Sequence, residues 1–237
     1  MPRKATLISN SLICVVLVTV SFFVFTLNVD RTFLGITAPL YSGSRDTKTV
    51  AFMFIVNDNA HAANLPFITG SLNTAKAGAT FFVSGMFAGN NMEMVKNLGD
   101  GFELGNHGFS GARLNITDKS KITTEIVFCR DIIKAVSGKT PALFTPPDLL
   151  YNRTTLGVAG ELGYKTVLPT ARRVTINWAT ADTNLVLSYA THDTKGGDII
   201  MFRPTTATMQ SIARVIAHFL ERGFKIVSVG SLLHNSY

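Results

Sequence analysis

The run Glu103-Leu104-Gly105-Asn106-His107-Gly108-Phe109-Ser110-Gly111 opens as a strand and breaks into a loop. Gly99 and Gly101 close a short helix around residues 92–98, and Phe102, Glu103 and Leu104 then read as a strand. That strand delivers His107 just past its C-terminal end, the edge where α/β barrels place their sites. The same strand-then-helix order extends in both directions. Residues 50–56 (Val-Ala-Phe-Met-Phe-Ile-Val) are a continuous apolar run, the signature of a strand buried on both faces, and residues 79–83 repeat it. Helices are predicted over 65–77, 118–137, 154–162, 183–190 and 209–222, and strands over 142–144, 165–168, 198–202 and 225–229. The helix over 118–137 is the clearest: Ile122, Ile126, Cys129, Ile133 and Val136 recur at steps of four and three. Thr117 or Asp118 caps its start and Gly138 ends it. This order predicts an α/β fold with a parallel sheet, open or closed into a barrel.

The N-terminal segment is of another kind. Residues 5–29 carry no charge, and residues 12–27 are almost continuously apolar, about the length a helix needs to cross a bilayer. Arg3 and Lys4 precede the run and Asp30 follows it, which places the N-terminus in the cytoplasm. A cleaved secretory signal would need a small-residue cleavage site. Thr37-Ala38-Pro39 is a poor one, so an uncleaved single-pass anchor in the cell membrane is favoured over a signal. Either way the rest of the chain lies on the extracytoplasmic side. The expected organisation is a cytoplasmic N-terminus and transmembrane anchor over 1–29, a Gly/Pro/Ser/Thr-containing linker or loosely packed arm over 30–48, and one domain over 49–237.

Composition narrows the partners. The formal charge of +7 comes from 22 basic and 15 acidic residues spread without a Lys/Arg run, whereas nucleic-acid binding wants a clustered basic face. No nucleic acid is expected, only a mild attraction to anionic cell-surface polymers. Cys14 lies in the membrane run and Cys129 on a helix, so no disulfide framework is present. Asn115-Ile116-Thr117 and Asn152-Arg153-Thr154 match the glycosylation sequon, a pattern common by chance.

The stretch around His107 closely resembles the Glu-Ile-Gly-Asn-His-x-x-x-His segment of the polysaccharide deacetylases, carbohydrate esterases with a NodB-homology domain. Further matches are Thr145-Pro146-Pro147-Asp148-Leu149 to the family's Arg-Pro-Pro-Tyr-Gly, Tyr151-Asn152 to its Tyr-Asn, and Gly197-Asp198-Ile199-Ile200-Met201-Phe202-Arg203 to its Gly-Asp-Ile-Ile-Leu-Leu-His. Thr175-Ile176-Asn177-Trp178 is similar to its Asp-Thr-x-Asp-Trp region. The resemblance runs from about residue 50 to residue 233. It implies a distorted (β/α) barrel, preceded here by one N-terminal transmembrane helix, and amide hydrolysis on N-acetylated glycans such as peptidoglycan. The pattern is similar to the deacetylase-like proteins of spore-forming Gram-positive bacteria, which suggests a sporulation role.

Family chemistry needs a divalent metal such as zinc, held by an Asp and two His, to polarise the amide and lower the pKa of water. A second Asp serves as base and a late His as acid. In this chain the resemblance places Ile55 at the base, Val56 at the metal aspartate, Gly111 at the second metal histidine and Arg203 at the acid histidine. Thr145 takes the place of the arginine that orients the base. Of all these groups only His107 is retained. Apolar Ile55 and Val56 cannot carry a proton, and Arg203 stays protonated and cannot act as an acid. One histidine does not hold zinc, since catalytic sites take three protein ligands, so no cofactor is expected. Asp58 is a weak stand-in ligand beside His107. It lies two to three residues past the family position, roughly 7–10 Å along an extended strand, and otherwise reads as a loop or capping residue.

A degenerate family member is therefore expected. Its cleft would be lined by Asp58, Asn106, His107, Pro147, Asp148, Tyr151, Trp178 and Arg203, with Ile55, Val56 and Gly111 also facing it. Arg203, Asp148 and His107 should share one mouth, with an ion pair between Arg203 and Asp148. Trp178, the single tryptophan, reads equally as a sugar-stacking platform or a core aromatic. His61, His192, His218 and His234 fall outside the motifs. Three readings follow: an impaired deacetylase acting on or binding cell-wall glycan, a non-catalytic glycan-binding or scaffold module, and an enzyme with a site relocated onto Asp58, His107 and Asp148.

Overall fold

The computed structural model of the chain describes residues 38–170 and 177–234, together with Thr19. The apolar run at 12–27, where a membrane span is expected, lies outside the described residues except for Thr19. Among the described residues no helix is long and apolar enough to cross a membrane.

The domain is built on β1 (Thr49–Val56), whose residues beyond Thr49 are all buried. Alternation along a strand sends neighbouring side chains to opposite faces. Val50, Phe52, Phe54 and Val56 join an outer core under the helices, while Ala51, Met53 and Ile55 join an inner core with Phe82, Leu143, Val167 and Met201. Two apolar faces leave β1 no solvated side, hence its unbroken apolar run. Its neighbours are β2 (Thr80–Val83) on one side and β6 (Ile199–Phe202) on the other, all parallel. The sheet continues through β3 (Glu103–Asn106), β4 (Leu143–Phe144) and β5 (Lys165–Thr166), giving the order β5-β4-β3-β2-β1-β6. The last strand, β7 (Lys225–Val227), pairs with the start of β1 at residues 49–51. The result is a curled parallel sheet, a half-barrel with helices packed outside.

Those helices are α1 (Leu65–Thr74), α2 (Gly85–Asn90), α3 (Met92–Gly101), α4 (Lys119–Ser137), α5 (Arg153–Glu161), α6 (Thr183–Thr191) and α7 (Thr206–Glu221), whereas α8 (Val229–His234) packs Val229, Leu232 and Leu233 into the inner core. In α4 the Asp118 carboxylate accepts from Lys121 N at 2.9 Å, and Gly138 takes the left-handed conformation that ends the helix. Ile122, Ile126, Cys129 and Ile133 form its buried face, as the spacing predicts.

The expected linker over 30–48 needs correction. Residues 30–37 lie outside the described residues, but from Ala38 the chain belongs to the domain. Leu40 donates to Thr166 O and accepts from Leu168 N, both at 2.9 Å, and Gly43 N donates to Gly197 O at 2.8 Å. Arg45 forms an ion pair with the fully buried Asp198 carboxylate at the foot of β6. Thr170 N also donates to Ile199 O at 3.0 Å. Residues 40–43 and Thr170 thus bridge the β5 and β6 edges. Backbone pairing satisfies this segment without any apolar period.

Candidate functional site

His107 is positioned by the end of β3 and by the loop that follows. Gly105 lies against the Phe82 ring, where a Cβ would overlap it, so glycine lets β3 sit close to the inner core. Asn106 is completely buried and fully engaged. Its Nδ2 donates to Ile126 O at 2.8 Å and to Tyr164 Oη at 3.0 Å, and its Oδ1 accepts from Gly108 N at 2.9 Å. Gly108 turns the chain with φ of +72° against Pro147. The next residues are clamped by Glu125 of α4: Oε2 accepts from Phe109 N at 2.9 Å and Ser110 N at 2.8 Å, and Oε1 accepts from Ser110 Oγ at 2.5 Å. Three donors stabilise this nearly buried carboxylate.

His107 itself is 1% exposed. Its Nδ1 lies 3.0 Å from Thr145 O. A carbonyl can only accept, so Nδ1 carries the proton and Nε2 presents its lone pair. Nε2 is buried and has no partner among the described residues. Burial pushes the pKa of His107 down to about 4, assisted by Arg203 and opposed by the bond to Thr145 and by Asp148. The ring is therefore neutral at physiological pH.

His107 forms part of the wall of a small cavity of about 180 Å³, lined also by Ile55, Asp148, Leu149, Trp178, Met201 and Arg203. Arg203, Asp148 and His107 share this mouth at the C-terminal ends of the strands. The expected Arg203–Asp148 ion pair is absent. Arg203 Nη1 donates instead to Asn57 Oδ1 at 3.2 Å, and Asp148 pairs with Arg113 at 3.6 Å, both of its side-chain partners being more than half exposed. The reason is local. Asp148 and Leu149 both take left-handed backbone angles, φ of 54° and 60°, and the turn leaves the Asp148 side chain largely in solvent. Burial lowers the pKa of Arg203, with Asp148 and Asp58 acting against it.

Other expected site residues separate. Ile55 reaches the cavity, but Val56, next along β1, is fully buried in the outer core and faces the helices. Its expected place in the cleft is corrected by strand alternation. Gly111 is exposed, at φ of +81° with open space where a Cβ would be. Asp58 caps the short 3-10 helix Asn59–Asn64, accepting from Ala60 N at 2.9 Å, the capping role rather than a ligand position. Asn106 and Pro147 are buried structural groups and do not line the cavity. Tyr151 is off the cavity too, its hydroxyl 2.5 Å from that of Tyr41. Trp178 combines both readings: it lines the cavity and packs edge-on against Tyr189 and Phe202, with centroids 5.5 and 6.3 Å away.

These donors do not fit a catalytic divalent metal. His107 and the Asp148 carboxylate offer two ligands at most, short of three, and Asp148 is paired with Arg113. Ile55 and Leu149 have no donor atom, Trp178 only donates, and the guanidinium of Arg203 repels a cation. Sequence reasoning missed Leu149 and Met201 on the cavity wall, Asn57 on Arg203, and Glu125 beneath the loop. It also passed over His61, which is buried, has an unpartnered Nδ1, and is pushed down to about 4 by burial, with Arg203 adding and Asp58 opposing. A groove of about 750 Å³ between α1 and α3 is larger, but its lining shares no residue with this cavity.

Comparison with known proteins bears on the fold and the family. The chain is 25% identical over 196 residues to the uncharacterized protein YlxY of Bacillus subtilis, covering 82% of this chain and 60% of that protein. It is 28% identical over 130 residues to the peptidoglycan-N-acetylmuramic acid deacetylase PdaA of the same organism, covering 54% of this chain and 48% of PdaA. The chain thus spans 60% or less of the length of these curated relatives. Among solved structures, BA3943 of Bacillus anthracis, described as a CE4 family pseudoenzyme, superposes with a TM-score of 0.77 at 22% identity, over 83% of this chain and 69% of that one. The polysaccharide deacetylase family model matches residues 42–167, more than half of the chain, and the protein therefore belongs to the polysaccharide deacetylase family.

Proposed function

We propose that this protein is a family member that has given up metal-assisted amide hydrolysis and uses the remaining cleft to hold an N-acetylated cell-wall glycan. The observation that carries this reading is the company His107 keeps. It shares a cavity wall with Ile55, Trp178, Met201 and Arg203, where hydrolysis needs a base, an acid and further ligands. The cleft keeps an aromatic ring and polar groups, the lining from which binding sites are built. PdaA, named for an N-acetylated peptidoglycan sugar, supports the substrate class. The uncharged run at 5–29, with Arg3 and Lys4 before it, supports anchoring in the cell membrane with the domain outside. A sporulation role rests on the resemblance alone.

Co-sedimentation of the 38–237 chain with purified peptidoglycan tests this. The wild-type domain should pellet with the glycan, and Trp178→Ala, assayed well below its lowered unfolding temperature, should pellet at least threefold less. Equal pelleting of the two would remove the cleft from glycan binding.

A further inference from the structure

The cavity beside His107 holds a cation, Arg203, that forms no ion pair among the described residues, although the Asp148 carboxylate lines the same cavity. Arg203 is partly buried, and among the described residues no carboxylate forms an ion pair with it. The acids whose charge reaches it are engaged elsewhere: Asp148 with Arg113, and Asp58 with Ala60 N. A second observation is independent of the first. Trp178 Nε1 and His107 Nε2 are both buried, both lack a hydrogen-bond partner among the described residues, and both side chains line this cavity. Buried polar groups left unpaired are costly, and a ligand that completes them recovers that cost.

The atoms define what would complete them. Arg203 and Trp178 only donate, so they ask for acceptors, and Arg203 asks for negative charge. A carboxylate offers two coplanar oxygens that match the guanidinium fork. His107 Nε2 accepts, and takes an N–H or O–H from the same ligand. Ile55, Leu149 and Met201 form apolar walls, which suit a short alkyl stem and would leave several oxygens of a phosphate unpaired. The volume of about 180 Å³ is room for roughly six waters, at about 30 Å³ each. It admits a substituent rather than a sugar ring.

We propose that this cavity takes the carboxylate of an acidic amino sugar, such as the short ether-linked side chain of N-acetylmuramic acid, with Arg203 as its bidentate partner and the glycan at the mouth. The proposal rests on the glycan reading above and specifies the sugar.

Titration calorimetry on the full chain in detergent micelles tests it, with four probes: N-acetylmuramic acid, N-acetylglucosamine (the same ring without the carboxylate), free lactate and inorganic phosphate. N-acetylmuramic acid should bind about tenfold or more tighter than N-acetylglucosamine, as expected for a hydrogen-bonded charge. Arg203→Gln should abolish that preference, bringing the two sugars to within about twofold of each other, and Arg203→Lys should restore only part of it. If Arg203→Gln does not fold, Trp178→Phe, which removes one donor and keeps a ring, should weaken the acidic sugar selectively. Equal binding of both sugars, unaffected by Arg203→Gln, overturns the carboxylate site and leaves the glycan reading standing. Lactate binding as tightly as N-acetylmuramic acid, with no binding of N-acetylglucosamine, overturns the glycan reading instead. Phosphate binding as tightly as lactate overturns the assignment of a carboxylate.

Discussion

His107 donates its Nδ1 proton to the carbonyl of Thr145, 3.0 Å away, the residue that the sequence resemblance aligns with the family's base-orienting arginine. The backbone of that turn fixes the imidazole, whose Nε2 is buried without a partner among the described residues.

Burial of neutral His107 makes stability acid-sensitive. Unfolded, the ring titrates near its ordinary 6.5, and folded near 4. Between these values the unfolded chain binds a proton that the native chain does not, so this contribution is complete above about pH 6.5 and declines as pH falls towards 4. At about 1.4 kcal/mol per unit, the loss is roughly 3 kcal/mol. Urea unfolding at pH 7 and pH 4.5 should show a lower midpoint in acid, and His107→Gln should flatten the difference. His61 shifts in the same direction, and His61→Gln separates its share.

Restoring family aspartates at neighbouring positions should have unequal costs. Val56→Asp places a carboxylate among the outer-core side chains with no partner, a loss of roughly 3–5 kcal/mol. Ile55→Asp places one at the cavity, which Arg203 also lines, and should cost about 1–2 kcal/mol less than Val56→Asp. Gly111→His meets open space but a left-handed backbone, costing about 1–2 kcal/mol. Denaturant melts of the three single variants rank them. Ile55→Asp proving as damaging as Val56→Asp would mean that both residues are packed alike.

Glu125 should matter more than its place on a helix suggests. Glu125→Ala removes the acceptor for Phe109 N, Ser110 N and Ser110 Oγ together, a loss of roughly 2–4 kcal/mol. Glu125→Gln keeps an acceptor oxygen and should lose less. Hydrogen exchange at the Phe109 and Ser110 amides reports it directly, with protection lost in the alanine variant and largely kept in the glutamine one.

The sheet was legible because its strands declare themselves: a β1 buried on two faces needs an unbroken apolar run, and α4 carries both its face and its caps in sequence. Short elements were not. The glycines of α2, Gly85 and Gly89, mask its helix, and α8 begins at Val229 where β7 was expected to end. The pairing of Leu40 and Gly43 uses backbone atoms alone and leaves no pattern to read. At the site, motif positions identified His107 and Arg203 at the cavity but not which way each side chain points. Val56 turns outward by alternation, Asn106 is retained for three internal hydrogen bonds, and Glu125 looks like an ordinary helical charge until the loop it holds is seen.

The metal content of the purified 38–237 chain follows from the donor set. Elemental analysis after dialysis against zinc should give well under one metal per chain, since His107 and Asp148 are at most two ligands where three are needed. A stoichiometric metal lost in His107→Ala would show that ligands converge on the ring after all.

The central claim is that the cleft no longer hydrolyses amides, and acetate release tests it most directly. Incubated with N-acetylated peptidoglycan and added zinc, the wild-type domain should release no more acetate than His107→Ala. Acetate release by the wild-type domain that His107→Ala abolishes would contradict the account.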